Sequence, residues 1–205
     1  MRLTVESVDH ASAAVKRPQY ARTEVTPGIV HLGIGAFHRA HQAASNRATL
    51  ALPFGPGFHH WLPRTPATRL QAEAESVWLE DARYLPVKRV PVKSRPDWDF
   101  SSFRSLPVGW INNAFTGWNG RATIIWEDRG LTLDLEARPL LSTFIRYSPS
   151  ANAPCFCFEP VSHAVDAHNL PPGPEEYGLV VLTPGAMLAA ERRFRVHEIQ
   201  SRSRR

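Results

Sequence analysis

The sequence predicts a mainly β protein, an antiparallel β-sandwich preceded by a short βα unit. From about residue 45 onward, apolar and polar residues alternate with a period of two, which is typical of strands with one buried face. The 205 residues include 18 prolines and 12 glycines, and hardly any stretch has the apolar spacing of a helix. These two observations predict the sandwich. A Gly-x-Gly turn near the N-terminus predicts the βα unit.

The βα unit begins with an apolar run over residues 29–32, which leads into Gly33 and Gly35. Glycines at such a turn let the backbone approach a pyrophosphate at the N-terminus of the following helix. A Gly-x-Gly alone is a weak signal. The longer string GIVHLGIGAFHRAHQ, residues 28–42, closely resembles the opening of the mannitol dehydrogenase family of polyol oxidoreductases.

This resemblance stops near residue 43. A Rossmann domain needs further βα units and an acidic residue about 20 positions past the glycines, and the composition that follows does not supply them. We therefore interpret residues 1–43 as a polyol dehydrogenase fragment in which Gly33 and Gly35 are vestigial. No functional NAD site and no cofactor are expected.

The remaining residues, 44–205, carry the alternation and the turns of an antiparallel sandwich. Apolar residues on one face of a strand and polar residues on the other indicate that one face packs on a core. The clearest set has Leu131, Leu133, Leu135 and Ala137 against Thr132, Asp134 and Glu136. Clusters of Pro, Gly, Asn and Asp separate the alternating segments, as expected of turns. They lie at residues 63–66, 118–120, 128–130, 171–173 and 183–185.

Three segments of this second piece carry chemistry-bearing residues. They are PFGPGFHHWLPR at residues 53–64, INNAFTGWNG at 111–120 and CFEPVSH at 157–163. In this order they resemble the aldose 1-epimerase (galactose mutarotase) family, from about residue 45 to about residue 199. The resemblance implies an incomplete galactose-mutarotase-like antiparallel sandwich, because only the latter half of the family's length is matched.

The resemblance implies interconversion of the α and β anomers of a free aldose, with His59 as the acid and Glu159 as the base. Opening a hemiacetal ring needs a base for the anomeric hydroxyl proton and an acid for the ring oxygen, and such groups each contribute about 10²–10⁴-fold. No metal and no organic cofactor are required. The family's first half supplies a sugar-binding arginine and a further histidine that have no counterpart here. Weak or absent turnover is therefore expected of a truncated chain.

The individual site residues have structural alternatives. His60 is adjacent to His59 and stands where the family normally has proline, which loosens the turn that would orient His59. Asn112 matches a sugar-hydroxyl-binding position, but an asparagine that only forms a turn is nearly as good an interpretation. Trp118 is a candidate for stacking on a sugar or for packing in the core.

The resemblance implies a small-molecule sugar as the partner, and composition argues against other classes of partner. The net charge is +5 and the basic residues are scattered, so neither a nucleic-acid partner nor a membrane partner is expected. Cys155 and Cys157 are poorly spaced for bridging each other, no third metal ligand is evident, and no apolar run reaches membrane-span length. These features favour a cytoplasmic protein without a metal. Open strand edges would allow self-association.

Two further functions remain open. The chain could be a remnant of an NAD-dependent polyol dehydrogenase, in which case NADH would bind. It could also be a non-catalytic carbohydrate-binding module that uses Asn112 and Trp118. In that case sugar binding would survive a Glu159→Gln substitution.

Overall fold

The computed structural model describes residues 51–199, and thirteen β-strands make up just under half of this range. In chain order, β1 to β13 are Leu52–Phe54, His60–Pro63, Thr68–Gln71, Ser76–Glu80, Pro86–Pro91, Arg104–Ser105, Ile111–Thr116, Arg121–Trp126, Leu131–Arg138, Thr143–Ser148, Cys155–Val161, Val180–Leu182 and Glu191–Glu198. Four short 3-10 helices connect them, at Val92–Ser94, Pro96–Trp98, Glu127–Arg129 and Pro174–Tyr177. None of the helices described is long and apolar enough to cross a membrane.

The strands form two larger sheets and one small one, all antiparallel. The six-stranded sheet has the order β2-β11-β10-β7-β4-β5, and the five-stranded sheet has the order β13-β9-β8-β3-β6. Strands β1 and β12 form a separate pair. Residues 52–182 and 188–199 belong to one compact unit. Residue 51 and residues 183–187 belong to a second unit, of which the rest lies outside the described residues.

The register of the five-stranded sheet follows from its alternating sequence. Ala122 pairs with Leu135 and Ile124 with Leu133 across β8 and β9, and all four side chains are buried. Slipping the register by one residue would turn every one of them toward solvent. The predicted antiparallel, mainly β fold is confirmed.

The core lies between the two large sheets and is rich in aromatic rings. Phe144 on β10 stacks on Phe115 of β7 at 4.7 Å and on Phe158 of β11 at 4.6 Å, measured between ring centroids. These rings are at most 1% exposed. Because successive residues of a strand point to opposite faces, filling this face of β11 with Phe156 and Phe158 leaves Cys157 and Glu159 on the other face.

One predicted half-buried position is exposed. In the sequence, Phe194 and Val196 alternate with polar residues, which predicts that both face inward, but the Val196 side chain is 65% exposed. Strand β13 is the last strand of its sheet, so Val196 has a neighbouring strand on one side only. The predicted βα unit, with Gly33 and Gly35, lies outside the described residues, as does the predicted boundary between residues 43 and 44.

Candidate active site

The pairing of β2 with β11 puts His59 opposite Glu159. His60 pairs with Phe158, and an isolated bridge joins Gly57 to Val161. Both pairs follow the same antiparallel register. In that register, the residues that pair between them are His59 and Glu159. Two residues separated by 100 positions in the sequence thereby become direct cross-strand neighbours, whose side chains leave the sheet on the same face.

The two side chains meet at the surface end of this face. His59 Nε2 lies 3.6 Å from Glu159 Oε1, and the histidine side chain is 57% exposed against 13% for the glutamate. The imidazole also stacks on Trp61, with ring centroids 5.4 Å apart and planes inclined by 15°. The imidazole is therefore open to a solute, whereas only a small part of the glutamate side chain is accessible.

Burial shifts the acid strengths of both groups. It raises the pKa of Glu159 to about 7, and a hydrogen bond with Cys157 opposes this only in part. Burial also lowers the pKa of His59, against a smaller opposing effect from a hydrogen bond to its own backbone. If both groups were charged, their attraction would oppose both pKa shifts. The 3.6 Å between His59 Nε2 and Glu159 Oε1 is, however, too long for a hydrogen bond between them. Below about pH 7, and above the lowered pKa of His59, the pair thus holds one proton, on the carboxyl group.

The adjacent histidine has a different environment. His60 Nδ1 lies 3.1 Å from the carbonyl oxygen of Phe158, and its ring stacks on Phe58 and meets Phe194 edge to face. Burial lowers the pKa of His60 to about 4. The structure therefore gives the two adjacent histidines different surroundings. His60 packs toward the core, and His59 faces Glu159.

Cys157 lies beside the pair and was not a predicted site residue. Among the described residues, His59, Cys157 and Glu159 each offer one metal-ligating atom within 4.8 Å of the others. Burial raises the pKa of the Cys157 thiol to about 12, with a further contribution from the charge of Glu159. A metal would have to displace this proton before the sulfur could ligate it. Cys157 and Glu159 are two residues apart on one strand, and this spacing is the signal that could have identified the cluster.

Of the two predicted sugar-binding residues, the structure brings one to the face that carries the pair. Asn112 pairs with Tyr147, and Tyr147 pairs with Cys157. Asn112 therefore lies on that face, one row of side chains away from Glu159. It is part of a strand and not of a turn.

Trp118, predicted to bind sugar, lies in the core. Its side chain is 4% exposed, its ring packs edge to face against Phe144 and Phe158, and its Nε1 donates a hydrogen bond to the Arg121 carbonyl oxygen at 2.7 Å. Since Phe158 is on the opposite face of β11 from Glu159, the Trp118 ring has no free face near the pair. We assign Trp118 to the core.

A loop covers part of the face beside the pair. Ala164 packs with Trp78 and Ala114, and the partly buried Ile145 and Tyr177 surround them. Ile145 pairs with both Glu159 and Ala114, so this cover begins one residue from the glutamate. The loop excludes water from one side of Glu159, which is consistent with the raised pKa of its carboxyl group.

Comparison with known proteins identifies the family. A family model described as aldose 1-epimerase matches residues 36–195, which is most of the chain. The chain therefore belongs to the aldose 1-epimerase family.

Individual relatives agree with this assignment. The uncharacterised protein YphB of Escherichia coli K12 is 32% identical over 185 residues, which cover 82% of this chain and 61% of YphB. The solved structure of a candidate aldose 1-epimerase from Escherichia coli K12 superposes with a TM-score of 0.66 at 34% identity, over 74% of this chain and 53% of that one. The chain thus spans between half and two thirds of the length of these relatives.

A more distant structure shows the same fold. A galactose mutarotase-like protein from Clostridium acetobutylicum superposes with a TM-score of 0.58 at 14% identity, over 74% of this chain and 49% of that one. Separately, a stretch of 48 residues is 52% identical to mannitol 2-dehydrogenase of Cereibacter sphaeroides, covering 23% of this chain and 9% of that protein. A match of this length does not establish the nature of the N-terminal piece.

Proposed function

We propose that this protein interconverts the α and β anomers of a free aldose, with His59 and Glu159 as its acid–base pair. The observation that carries the proposal is the pairing of an accessible imidazole with a shielded carboxyl group at 3.6 Å. The two groups lie on the sheet face of a fold whose relatives include aldose 1-epimerases.

The reaction needs one proton shared between two groups. In ring opening, the base takes the proton of the anomeric hydroxyl while the acid protonates the ring oxygen, and the bond from the anomeric carbon to the ring oxygen breaks. Rotation about the adjoining carbon–carbon bond exposes the other face of the aldehyde. Reclosure returns both protons, with the roles of the two groups exchanged.

His59 and Glu159 fit these roles in either order. With His59 as the acid and Glu159 as the base, the pair starts as an imidazolium and a carboxylate. This state differs from the neutral pair only in the position of one proton. A rate measurement therefore reports on the pair as a unit and not on either residue alone. No step needs a metal or an organic cofactor.

Polarimetry tests the proposal directly. Freshly dissolved α-glucose and α-galactose should mutarotate faster with wild-type protein than in buffer, and Glu159→Gln should lower the added rate by about 10²–10⁴-fold. Asp134→Asn is the matched control, because Asp134 lies 3.7 Å from His197 in an exposed pair on the other sheet. A wild-type trace no faster than buffer would refute catalysis and leave the family assignment intact.

A carbohydrate-binding role without catalysis is the second candidate, favoured by the exposed rings around the pair. Trp61 is 60% exposed and stacks on His59. If the chain binds sugars without turning them over, sugar affinity should be the same for wild type and Glu159→Gln, while both leave the mutarotation rate at that of buffer.

A further inference from the structure

Four aromatic side chains form a continuous series on the surface beside the acid–base pair. Trp61 meets Tyr147 at 6.1 Å between centroids, Tyr147 meets Trp110 at 5.3 Å, and Trp110 meets Tyr84 at 5.3 Å. The first two contacts are edge to face, with interplanar angles of 77° and 85°. We call Trp61, Tyr147, Trp110 and Tyr84 the aromatic strip.

The aromatic strip is exposed, unlike the rings of the core. Trp61 is 60% exposed, Tyr84 54% and Trp110 47%, and Tyr147 is half-buried. In the described part of the chain, the one other exposed large aromatic residue is Phe103. Large apolar side chains that are scattered singly over a surface need no explanation, whereas a contiguous exposed set marks a contact site. The strip is such a set.

The strip begins at the acid–base pair. Trp61 stacks on His59, and both Trp61 and Tyr147 pair across the sheet with Cys157, two residues before Glu159. The row of side chains that holds Trp61 and Tyr147 is therefore the next row from the one that holds the pair. A ligand whose reacting ring lies at His59 and Glu159 would extend along the strip.

The chemistry of the strip fits a carbohydrate chain. The faces of pyranose rings present C–H groups that pack on the electron-rich faces of Trp and Tyr, and the spacing between successive rings of the strip is comparable to one sugar unit. Asn112, which pairs with Tyr147, adds an amide that can both donate to and accept from sugar hydroxyls. Apolar faces edged by a few polar groups are typical of ligand sites.

We propose that the aromatic strip binds the second and later rings of a reducing oligosaccharide, whose reducing-end ring lies at His59 and Glu159. This assignment rests on the proposed function for the position of the reducing end. The substrate class is then a glycan of two or more units with a free reducing end, and a monosaccharide fills only part of the site.

Calorimetric titration of the full chain tests the strip without relying on turnover. The probes are glucose, maltotriose, cellotriose and maltotriitol, the last of which has no reducing end and cannot mutarotate. We expect maltotriose or cellotriose to bind at least about tenfold more tightly than glucose, since each stacked ring adds affinity. Binding of maltotriitol alone would contradict a reducing-end ring at His59 and Glu159. Equal affinity for glucose and all three would overturn the proposal.

Substitutions locate the binding. Trp110→Ala and Tyr84→Ala should each abolish most of the trisaccharide advantage and leave glucose affinity unchanged. Phe103→Ala is the matched control, because Phe103 is a 42%-exposed aromatic residue outside the strip. An advantage that survives both strip variants overturns the proposal. So does a strip that holds a second copy of this chain, which would show as a dimer lost in Trp110→Ala, with no glycan bound.

The two proposals fail in different ways. Trisaccharide binding that depends on Trp110, together with a mutarotation rate equal to buffer, would refute catalysis and retain the strip. Mutarotation that depends on Glu159, with no trisaccharide advantage, would refute the strip and retain catalysis.

Discussion

At the scale of single residues, the Glu159 carboxyl group links the proposed reactivity to the stability of the fold. It is 13% exposed, and burial raises its pKa to about 7. The opposite shift of the His59 pKa has the same physical cause, since burial disfavours whichever form is charged. Burial therefore shifts the pKa values of the two groups in opposite directions.

The first residue-scale prediction concerns the pH dependence of mutarotation. Turnover needs one proton on the pair, so the rate should fall above about pH 7, where Glu159 loses its proton. It should also fall below the lowered pKa of His59, where both groups are protonated. Polarimetry over a pH range that extends beyond both limits, after subtraction of the buffer rate, should give a bell-shaped profile. A rate that keeps climbing well above neutral pH would contradict the shared-proton mechanism.

The second residue-scale prediction concerns stability. A carboxyl group whose folded-state pKa lies above its unfolded value stabilises the fold fully below pH 4.5, and this stabilisation is lost as the pH rises through about 7. Glu159→Gln removes this dependence. Its unfolding free energy relative to wild type should rise by about 3 kcal/mol between pH 4 and pH 8.

Urea unfolding of both proteins at the two pH values measures this difference. Glu198→Gln, a change on an exposed edge strand, should show a much smaller dependence. If wild type and Glu159→Gln differ equally at pH 4 and pH 8, the carboxyl group is not buried in solution as it is in the structure.

Much of the site's chemistry was predictable from the sequence, but its geometry was not. The segments around His59 and Glu159 name the two groups, and the period-two pattern gives each strand its two faces. What the sequence could not supply was the register of β2 against β11. Without it, the motif favoured His59 over His60 but did not show which group His59 faces, and Cys157 was only a small buried residue.

The core shows a second limit of sequence reasoning, at Arg146. This arginine is fully buried between Phe100 and Phe156, and within residues 51–199 its guanidinium nitrogens have no hydrogen-bond partner. Burial lowers its pKa to about 9, and the charge of Arg64 adds to this. Alternation along β10 cannot predict such a residue, because a polar side chain on the inner face departs from the pattern. The place of Trp118 in the core shows the same limit, because it depends on contacts with Phe144 of β10 and Phe158 of β11 that the sequence pattern does not reveal.

At the scale of elements, the turns between strands set the sheet geometry. Gly120, between β7 and β8, has φ +80°, and a Cβ there would lie 2.6 Å from the Ala137 carbonyl oxygen. Its own carbonyl oxygen accepts a hydrogen bond from the Ala137 amide at 2.9 Å. The turn is therefore held against β9 so closely that only glycine fits.

Three glycine-to-alanine substitutions separate the cost of a left-handed backbone from the cost of a clash with a neighbouring residue. Gly109 has neither positive φ nor a neighbour within 4 Å, Gly130 has φ +61° and no neighbour, and Gly120 has both constraints. Thermal or urea unfolding should rank the losses Gly109 < Gly130 < Gly120. A left-handed alanine costs about 1–3 kcal/mol, and Gly120→Ala adds the backbone clash to that cost. Equal losses at Gly120 and Gly130 would mean that the turn relaxes away from Ala137.

At the scale of the whole molecule, four strands form the edges of the two large sheets in the described range. Strand β6 has two residues, β5 begins and ends with proline, and β13 carries three arginines and two glutamates. Short length, proline and charge are devices that protect an edge from pairing with another chain. Strand β2 has proline only at its end, so it is the least protected edge.

The orientation of β2 adds to this argument. Phe58 donates its amide proton to Pro160 of β11, and Arg64 donates its own to Pro154, just before β11. The alternate residues His59 and Trp61 therefore direct theirs away from the sheet. Self-association through strand edges, which the sequence predicts, should therefore run through β2. Sedimentation velocity over a range of protein concentrations should show a reversible dimer, and Trp61→Lys should weaken it by placing a charge on the edge.

Val196→Lys on the already charged β13 is the control and should leave the dimer unchanged. Because the β2 edge carries His59, dimer formation would also limit access to the acid–base pair, and the mutarotation rate per chain should fall as protein concentration rises. A wild-type protein that stays monomeric at every concentration would contradict the prediction. The residual protection of β2 would then lie in its right-handed twist and its short length of four residues.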